Sequence, residues 1–293
     1  MSSRNEYTQL GPQLMRHPYG SRVLGTTTED SDYDIFVLHQ TEIVSVTSKD
    51  SKVSLLPNMS HFNIIRSTEP YEDGIGYDTN HRTTNFIVRQ VLDGPSTITS
   101  TCTIMHHFSS IIFDQVSMND VYSFEKYEAY LAFLHSSATT VLWYNLVPFL
   151  VDILRHIPTN ENISKSTDFW KEHNREVIPH FDGRDYECKR VSYVLTAAYL
   201  AKNILRKHHV PLTEKEKNIL IALKKNILPI TKLNDIVNNM THELPATLYK
   251  YPPESALITA SSVEHEIKND MFGIKSVANL VKHTYSSTYI NLD

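Results

Sequence analysis

"YGSRVLGTTTEDSDYDIFVL", residues Tyr19 to Leu38, decides the reading of this chain. Gly20 and Gly25 stand close together, with Ser21 beside the first. Asp32 and Asp34 follow, one residue apart, and then an apolar run begins. The end of the stretch, "YDIFVL", reads as a strand. On a strand, side chains at i and i+2 face the same way, so the expectation is that Asp32 and Asp34 project from one face. Two like charges that close are costly unless a cation sits between them. Magnesium prefers hard oxygen ligands and is commonly held by one or two carboxylates together with substrate phosphates. A pair of such ions can clamp the attacking and leaving oxygens of a phosphoryl displacement.

The Gly20-Ser21 pair suits the other half of that task. Glycine lets the backbone come close to a phosphate. A serine hydroxyl and the N–H groups at a helix start are donors for phosphate oxygens. Gly25 is expected to end that short helix and turn the chain toward the aspartate strand. Ser31 is placed to hydrogen-bond near the start of the strand and orient the first carboxylate. Arg22, directly after Gly-Ser, is a candidate phosphate ligand, with an exposed salt bridge as the alternative.

Working outward, the chain has 293 residues, enough for one large domain or two of ordinary size. Its composition, 41% apolar and 21% charged, is that of a folded chain rather than a disordered one. The formal net charge of −5 argues against a protein that coats nucleic acid non-specifically, though a local basic groove is compatible with it. Cys102 and Cys188 are the only cysteines, too few for a disulfide framework or a zinc site. The start, "MSSRNEYTQL", lacks an apolar signal core. The apolar segment Tyr130 to Leu154 is interrupted by His135, Ser136, Ser137, Asn145 and Pro148, and reads as buried helix rather than a membrane span. A reducing cytoplasm is the expected setting.

Two halves differ in texture. Residues 1–115 read as strand-rich, through "DYDIFVLH", "EIVSVTS", "KVSLL" and "HFNIIRS", with one helix, "TTNFIVRQVLDG", started by Thr83 or Thr84 and ended by Gly94-Pro95. Residues 116–293 read as helical. "SFEKYEAYLAFLHSSA" has helical apolar spacing. "YECKRVSYVLTAAYLAKNILRKHHV" gathers Val191, Val194, Leu195, Ala198, Ile204 and Leu205 on one face. "TEKEKNILIALKKNIL" opens on a capping box, Thr213 with Glu216, and "TKLNDIVNNMTHEL" is again amphipathic. The expected fold class is α+β: a small mixed-sheet domain over 1–115, then an all-helical domain over 116–293, joined near residues 109–120.

Gly20-Ser21, Gly25 and then Ser31-Asp32-Tyr33-Asp34-Ile35 resemble the signature of the polymerase-β-type nucleotidyltransferase superfamily. The form G-S-x-x-x-G-x-x-x-x-x-S-D-x-D is similar to a branch of predicted bacterial and phage nucleotidyltransferases, some linked to RNA repair. "YDTNHRTTNFIVRQVLDGPST" and "CKRVSYVLTAAYLAKNILRKHHVPL" with "ILIALKKNILPITKLNDIV" look like that branch's later segments. The chain departs from the branch at Tyr193, where a histidine is usual, and in lacking an arginine soon after. The resemblance implies that Asp32 and Asp34 bind magnesium, two ions in all, and that Gly20 and Ser21 hold the triphosphate of an NTP. It implies a third carboxylate on a neighbouring strand, for which Asp78 in "IGYDTNH" matches best and Glu69, Glu72 and Asp73 are the alternatives. Lys189 and Arg190 are implied near nucleotide or acceptor. The reaction implied is attack of an acceptor hydroxyl on the α-phosphorus, with pyrophosphate leaving. The acceptor implied is an RNA or tRNA end, or else a protein or small molecule.

Other features read more plainly. The fifteen histidines, including His106-His107 and His208-His209, are expected to be mostly superficial. Arg206, Lys207, Lys224 and Lys225 are expected on solvated helix faces, with a phosphate-binding groove as the alternative. Trp143 and Trp170 are expected in the core. A protein that binds nucleotide without transferring it, or an inhibitory one, is the second functional expectation, and a structural protein with an accidental motif the third.

Overall fold

The computed structural model describes residues 5–29, 31–46, 65–70, 76–84, 87, 90, 97–124, 127–128, 130, 138–159, 163–174 and 185–251. A mixed sheet is built from β1 (Asn5–Tyr19), β2 (Tyr33–Val46), β3 (Ile65–Pro70) and β4 (Gly76–Thr83). The strand order is β1-β2-β4-β3. β1 and β3 lie antiparallel to their neighbours, while the central pair, β2 and β4, is parallel. The one-turn helix α1 (Gly20–Leu24) separates β1 from β2. The helices that follow are α2 (Ile98–Ile112), α3 (Ala138–Arg155), α4 (Ile163–Asn174), α5 (Cys188–Leu205), α6 (Glu214–Lys224) and α7 (Ile230–Lys250). The fold class is α+β, as the alternation of strand and helix textures leads one to expect.

The helices of the second half follow their sequence signals. Thr213 and Glu216 form the capping box of α6 in both directions, side chain to backbone each way. Trp143 and Trp170 are buried. α5 is the central element of the helical layer. Apolar spacing predicts one buried face for it, yet it is buried almost all round, with only Lys189 and Tyr193 exposed along its length. Small residues make this possible: Ala197, Ala198 and Ala201 let α2, α6 and α7 pack closely about it.

The first half departs from expectation at two places. The reading of 1–115 as strands with a single helix misses α2, "ITSTCTIMHHFSSII". Its β-branched residues favour strand locally, but Thr97 and Ser100 cap its start reciprocally, and packing against α5 and β1 holds it. The polar opening of the chain likewise forms β1, which pairs along most of β2. "KVSLL" and the Gly94-Pro95 stop lie outside the described residues. One cluster of buried side chains runs from Leu14 and Phe36 on the sheet through α2 and α5 to Leu248 on α7. The expected join at 109–120 falls on the end of α2 and the turn after it, where Val121 bridges back to Met15 of β1. Cys102 and Cys188 are both buried free thiols. Among the described residues, no helix is long and apolar enough to cross a membrane.

Candidate active site

The sheet brings the sequence motif together from three strands. β1 ends at Tyr19, which pairs with Asp34 across the antiparallel β1–β2 ladder. On the other side of β2, Asp34 pairs with Asp78 in the parallel ladder to β4. Directly paired residues share a face of a sheet, so Asp34 and Asp78 stand level on adjacent strands. Asp78 is buried, 6% exposed, and Asp34 is partly exposed. Of the alternatives for the third carboxylate, Glu69 pairs with Tyr77, one position off the level of the aspartates, while Glu72 and Asp73 lie outside the described residues.

Gly20 explains why the motif starts with glycine. Its φ is +77°, in the left-handed region, and a Cβ there would overlap the carboxylate of Asp34. The missing side chain is thus the space that Asp34 occupies. Gly25 also lies at positive φ, +68°, and caps α1, ending it as expected. Thr26 N–H donates to the Ser21 carbonyl at 2.9 Å and closes the turn.

Asp32 sits differently. It lies just before the first strand pair, Tyr33 with Tyr77, and is exposed. Arg22 holds the backbone there: its guanidinium donates to the carbonyls of Ser31 at 2.6 Å and Asp32 at 3.3 Å. It also lies over the Tyr33 ring, 3.8 Å from the centroid. Arg22 therefore pins the approach to β2 through carbonyls and a ring rather than through an exposed salt bridge. The Ser31 hydroxyl accepts from Thr28 N–H at 2.8 Å and so fixes the loop that delivers Asp32. Among the described residues, no three His, Cys, Asp or Glu side chains already stand close enough to hold a metal. Two level carboxylates do fit magnesium, which needs no more than one or two from protein when phosphates supply the rest.

Tyr19 stands beside Asp34 in the β1–β2 ladder. Burial first, and then the charge of Asp34, hold its phenol protonated well above the ordinary value; Asp78 acts in the same sense and Arg82 against it. The Asn80 amide donates to its hydroxyl. Tyr193, on the exposed edge of α5, also acts on Tyr19. Lys189 is one turn before Tyr193 on that edge, whereas Arg190 is turned inward: 8% exposed, it lies over Trp170 and pairs with Glu187 at 3.7 Å.

Two features were not expected from the sequence. Lys224, read as a solvated face, is partly buried and donates to the Thr26 carbonyl at 2.8 Å and hydroxyl at 3.3 Å. Burial lowers its pKa and Asp34 opposes that shift. The histidines of the sheet region are not superficial either. His17 is 1% and His107 0% exposed, and their rings are joined by a 2.9 Å hydrogen bond. His17 Nδ1–H donates to the Pro18 carbonyl, so its Nε2 accepts from His107 Nδ1–H, and His107 Nε2 accepts from the Tyr130 hydroxyl. Burial pushes His17 down to about 4, and His106, beside Lys224, to about 4 as well. The apolar Phe36, stacked on His107 at 4.3 Å, gave no sequence signal that its partners would be imidazoles. His208 and His209, by contrast, are not buried. Compared with known proteins, the chain matches no family model and has no significant match among curated proteins.

Proposed function

We propose that the chain is a magnesium-dependent nucleotidyltransferase, its sheet and flanking turn forming the catalytic unit and its helical region closing over it. The single observation that carries the reading is the level pairing of Asp34 and Asp78 beside Gly20, whose absent side chain makes room for Asp34. Asp34 and Asp78, with Asp32 at the mouth, would hold magnesium, which supplies neutralisation of the polyphosphate charge. Gly20 and Ser21 begin the turn that receives the triphosphate, and Arg22 and Ser31 keep the Asp32 loop in place. An acceptor hydroxyl attacks the α-phosphorus in line, forming the new P–O bond as the bond to pyrophosphate breaks. Of the three carboxylates, Asp78 is the most buried, which suits it to take the acceptor's proton. Lys189 and Tyr193 line the side from which an acceptor reaches the site. Arg190, committed to Trp170 and Glu187, supports α5 instead.

The acceptor class favoured is an RNA or tRNA end, on the strength of the sequence resemblance; a protein or small-molecule hydroxyl is the alternative. The test is pyrophosphate release from each NTP with magnesium, with and without total tRNA, for wild type, Asp34→Asn and Asp78→Asn. Release that requires both carboxylates supports the reading, and release indifferent to them removes it.

A second reading has one observation in its favour. Asp32 is exposed and lies off the strand pair, so among the described residues two carboxylates stand level rather than three. A protein that binds nucleotide without transferring it fits that geometry. Nucleotide-induced stabilisation with no pyrophosphate release under any condition selects it.

A further inference from the structure

α3 and α7 pack against each other, and an open groove of about 630 Å³ lies between them. Val147, Val151 and Leu248 form its buried floor. Tyr144 and Tyr249 stand at its walls, 54% and 90% exposed. Among the described residues its one charged lining group is Arg155, which is exposed. An apolar groove edged by two exposed aromatic rings is a surface that binds something.

The course of the chain says what. α7 ends at Lys250, its last turn placing Leu248 and Tyr249 in the groove. Pro252-Pro253 come next in the sequence, a helix stop. Residues 252–293 lie outside the described residues, but their sequence carries a clear stripe. Val263, Ile267, Met271, Ile274, Ala278 and Val281 recur every three or four positions, the spacing of one helix face. On that helix Glu266 and Asp270 flank the stripe on one side, and Lys268, Lys275 and Lys282 on the other. Gly273 inside the run weakens an isolated helix, so the pattern calls for a partner surface. The connecting residues 254–262 reach about 30 Å when extended. The helix from Tyr144 to Arg155 is only about 17 Å long, so the stripe can return along the groove.

We propose that residues 263–281 of this same chain dock in the α3–α7 groove as an amphipathic helix, the apolar stripe on Val147, Val151 and Leu248 and the acidic flank toward Arg155. Tethering makes the event intramolecular and raises its effective concentration, so a chain covers its own groove in preference to that of a second copy.

The test uses the full chain with the photo-crosslinker p-benzoylphenylalanine in place of Tyr249, whose exposure lets the larger ring be accepted. After irradiation at low protein concentration, mass spectrometry is expected to find position 249 joined to residues 263–281 of the same chain. Ile267→Asp with Ile274→Asp puts charge into the stripe and is expected to lower that capture about tenfold. Ser276→Asp, on the opposite face, is expected to leave it unchanged. The same probe in place of Tyr144, on the other wall, is expected to report the same partner, and serves if the first variant fails to fold by circular dichroism. Capture indifferent to charge in the stripe shows a loose tether only and overturns the proposal. Crosslinks between two copies, rising with concentration, assign the groove to a second copy and overturn it too, as does the absence of any product with residues 263–281.

Discussion

Two clusters of charge in this molecule are built on opposite principles. At the sheet, Asp34 and Asp78 place like charges level on adjacent strands. Where α5, α6 and α7 meet, opposite charges are matched. Lys202 is 2.8 Å from Glu216, Arg206 2.7 Å from Glu243, and Lys202 3.8 Å from Glu243. Glu216 also accepts from the Asn203 amide at 2.8 Å and the Thr213 N–H at 2.9 Å. The second cluster satisfies its members from within the protein, and so reads as architecture. The first sets two acids level beside a turn whose glycine makes room for one of them, and we propose that it serves a ligand.

The sharpest way to break this contrast is to neutralise one member of each. Asp34→Asn is expected to lower nucleotidyl transfer about a thousandfold while leaving the fold intact by circular dichroism. A fall in stability with activity retained would make Asp34 structural and dissolve the difference between the clusters.

Glu216→Gln tests the other side. It leaves Lys202 buried and short of its closest anion, which is expected to cost about 3–5 kcal/mol of stability by urea unfolding, with activity per folded molecule unchanged. The Glu216 carboxyl is affected most by burial, which raises it. The hydrogen bonds from Lys202, Thr213 and Asn203 outweigh that and leave it below its ordinary value of 4.5. Its contribution is therefore present above that pH and lost as pH falls through the lower folded value. Glu216→Gln should flatten that part of the acid limb.

A second pH dependence belongs to the sheet side and runs through a higher window. His17 and His106 titrate near 4 in the folded chain against 6.5 unfolded, and His107 lies well below 6.5. Between those values the unfolded chain binds protons that the folded chain refuses, so stability falls as pH is lowered from about 6.5 toward 4. Urea midpoints at intervals from pH 7.5 to 4.5 should decline before the Glu216 carboxyl begins to titrate. A flat profile down to pH 5 would show that these rings are solvated.

The sequence was informative where chemistry is local. The Gly-Ser turn, its stop at Gly25 and the capping box at Thr213 each rest on residues within a few positions of one another, and each is found. The resemblance put Asp78 ahead of Glu69, and strand register, which is a property of the folded sheet, is what sets the two on different levels. The same holds for Lys224, whose partner Thr26 is 198 residues away. α2 was misread because Ile98, Thr101, Thr103 and Ile104 favour strand locally, and its helical state is supported by burial against α5 and β1. The imidazoles were misread for the same reason: nothing in "MHHF" announces that His17 and Tyr130 stand ready to satisfy both nitrogens of His107.

The smallest expected effect discriminates most finely, because it compares two glycines in the same turn. Gly20 and Gly25 have nearly the same φ, +77° and +68°. Alanine at either position incurs the left-handed penalty, about 1–2 kcal/mol. They differ in what a Cβ would meet. At Gly25 the nearest atoms are the flexible end of Lys217, 3.6 Å away, an ordinary contact. At Gly20 it would displace the Asp34 carboxylate. Gly25→Ala is therefore expected to lose that modest stability and keep transfer activity, whereas Gly20→Ala loses a similar or larger amount and most of the activity with it. If both variants were equally active, Gly20 would be needed only for its backbone conformation, and the space it leaves for Asp34 would have no bearing on the reaction.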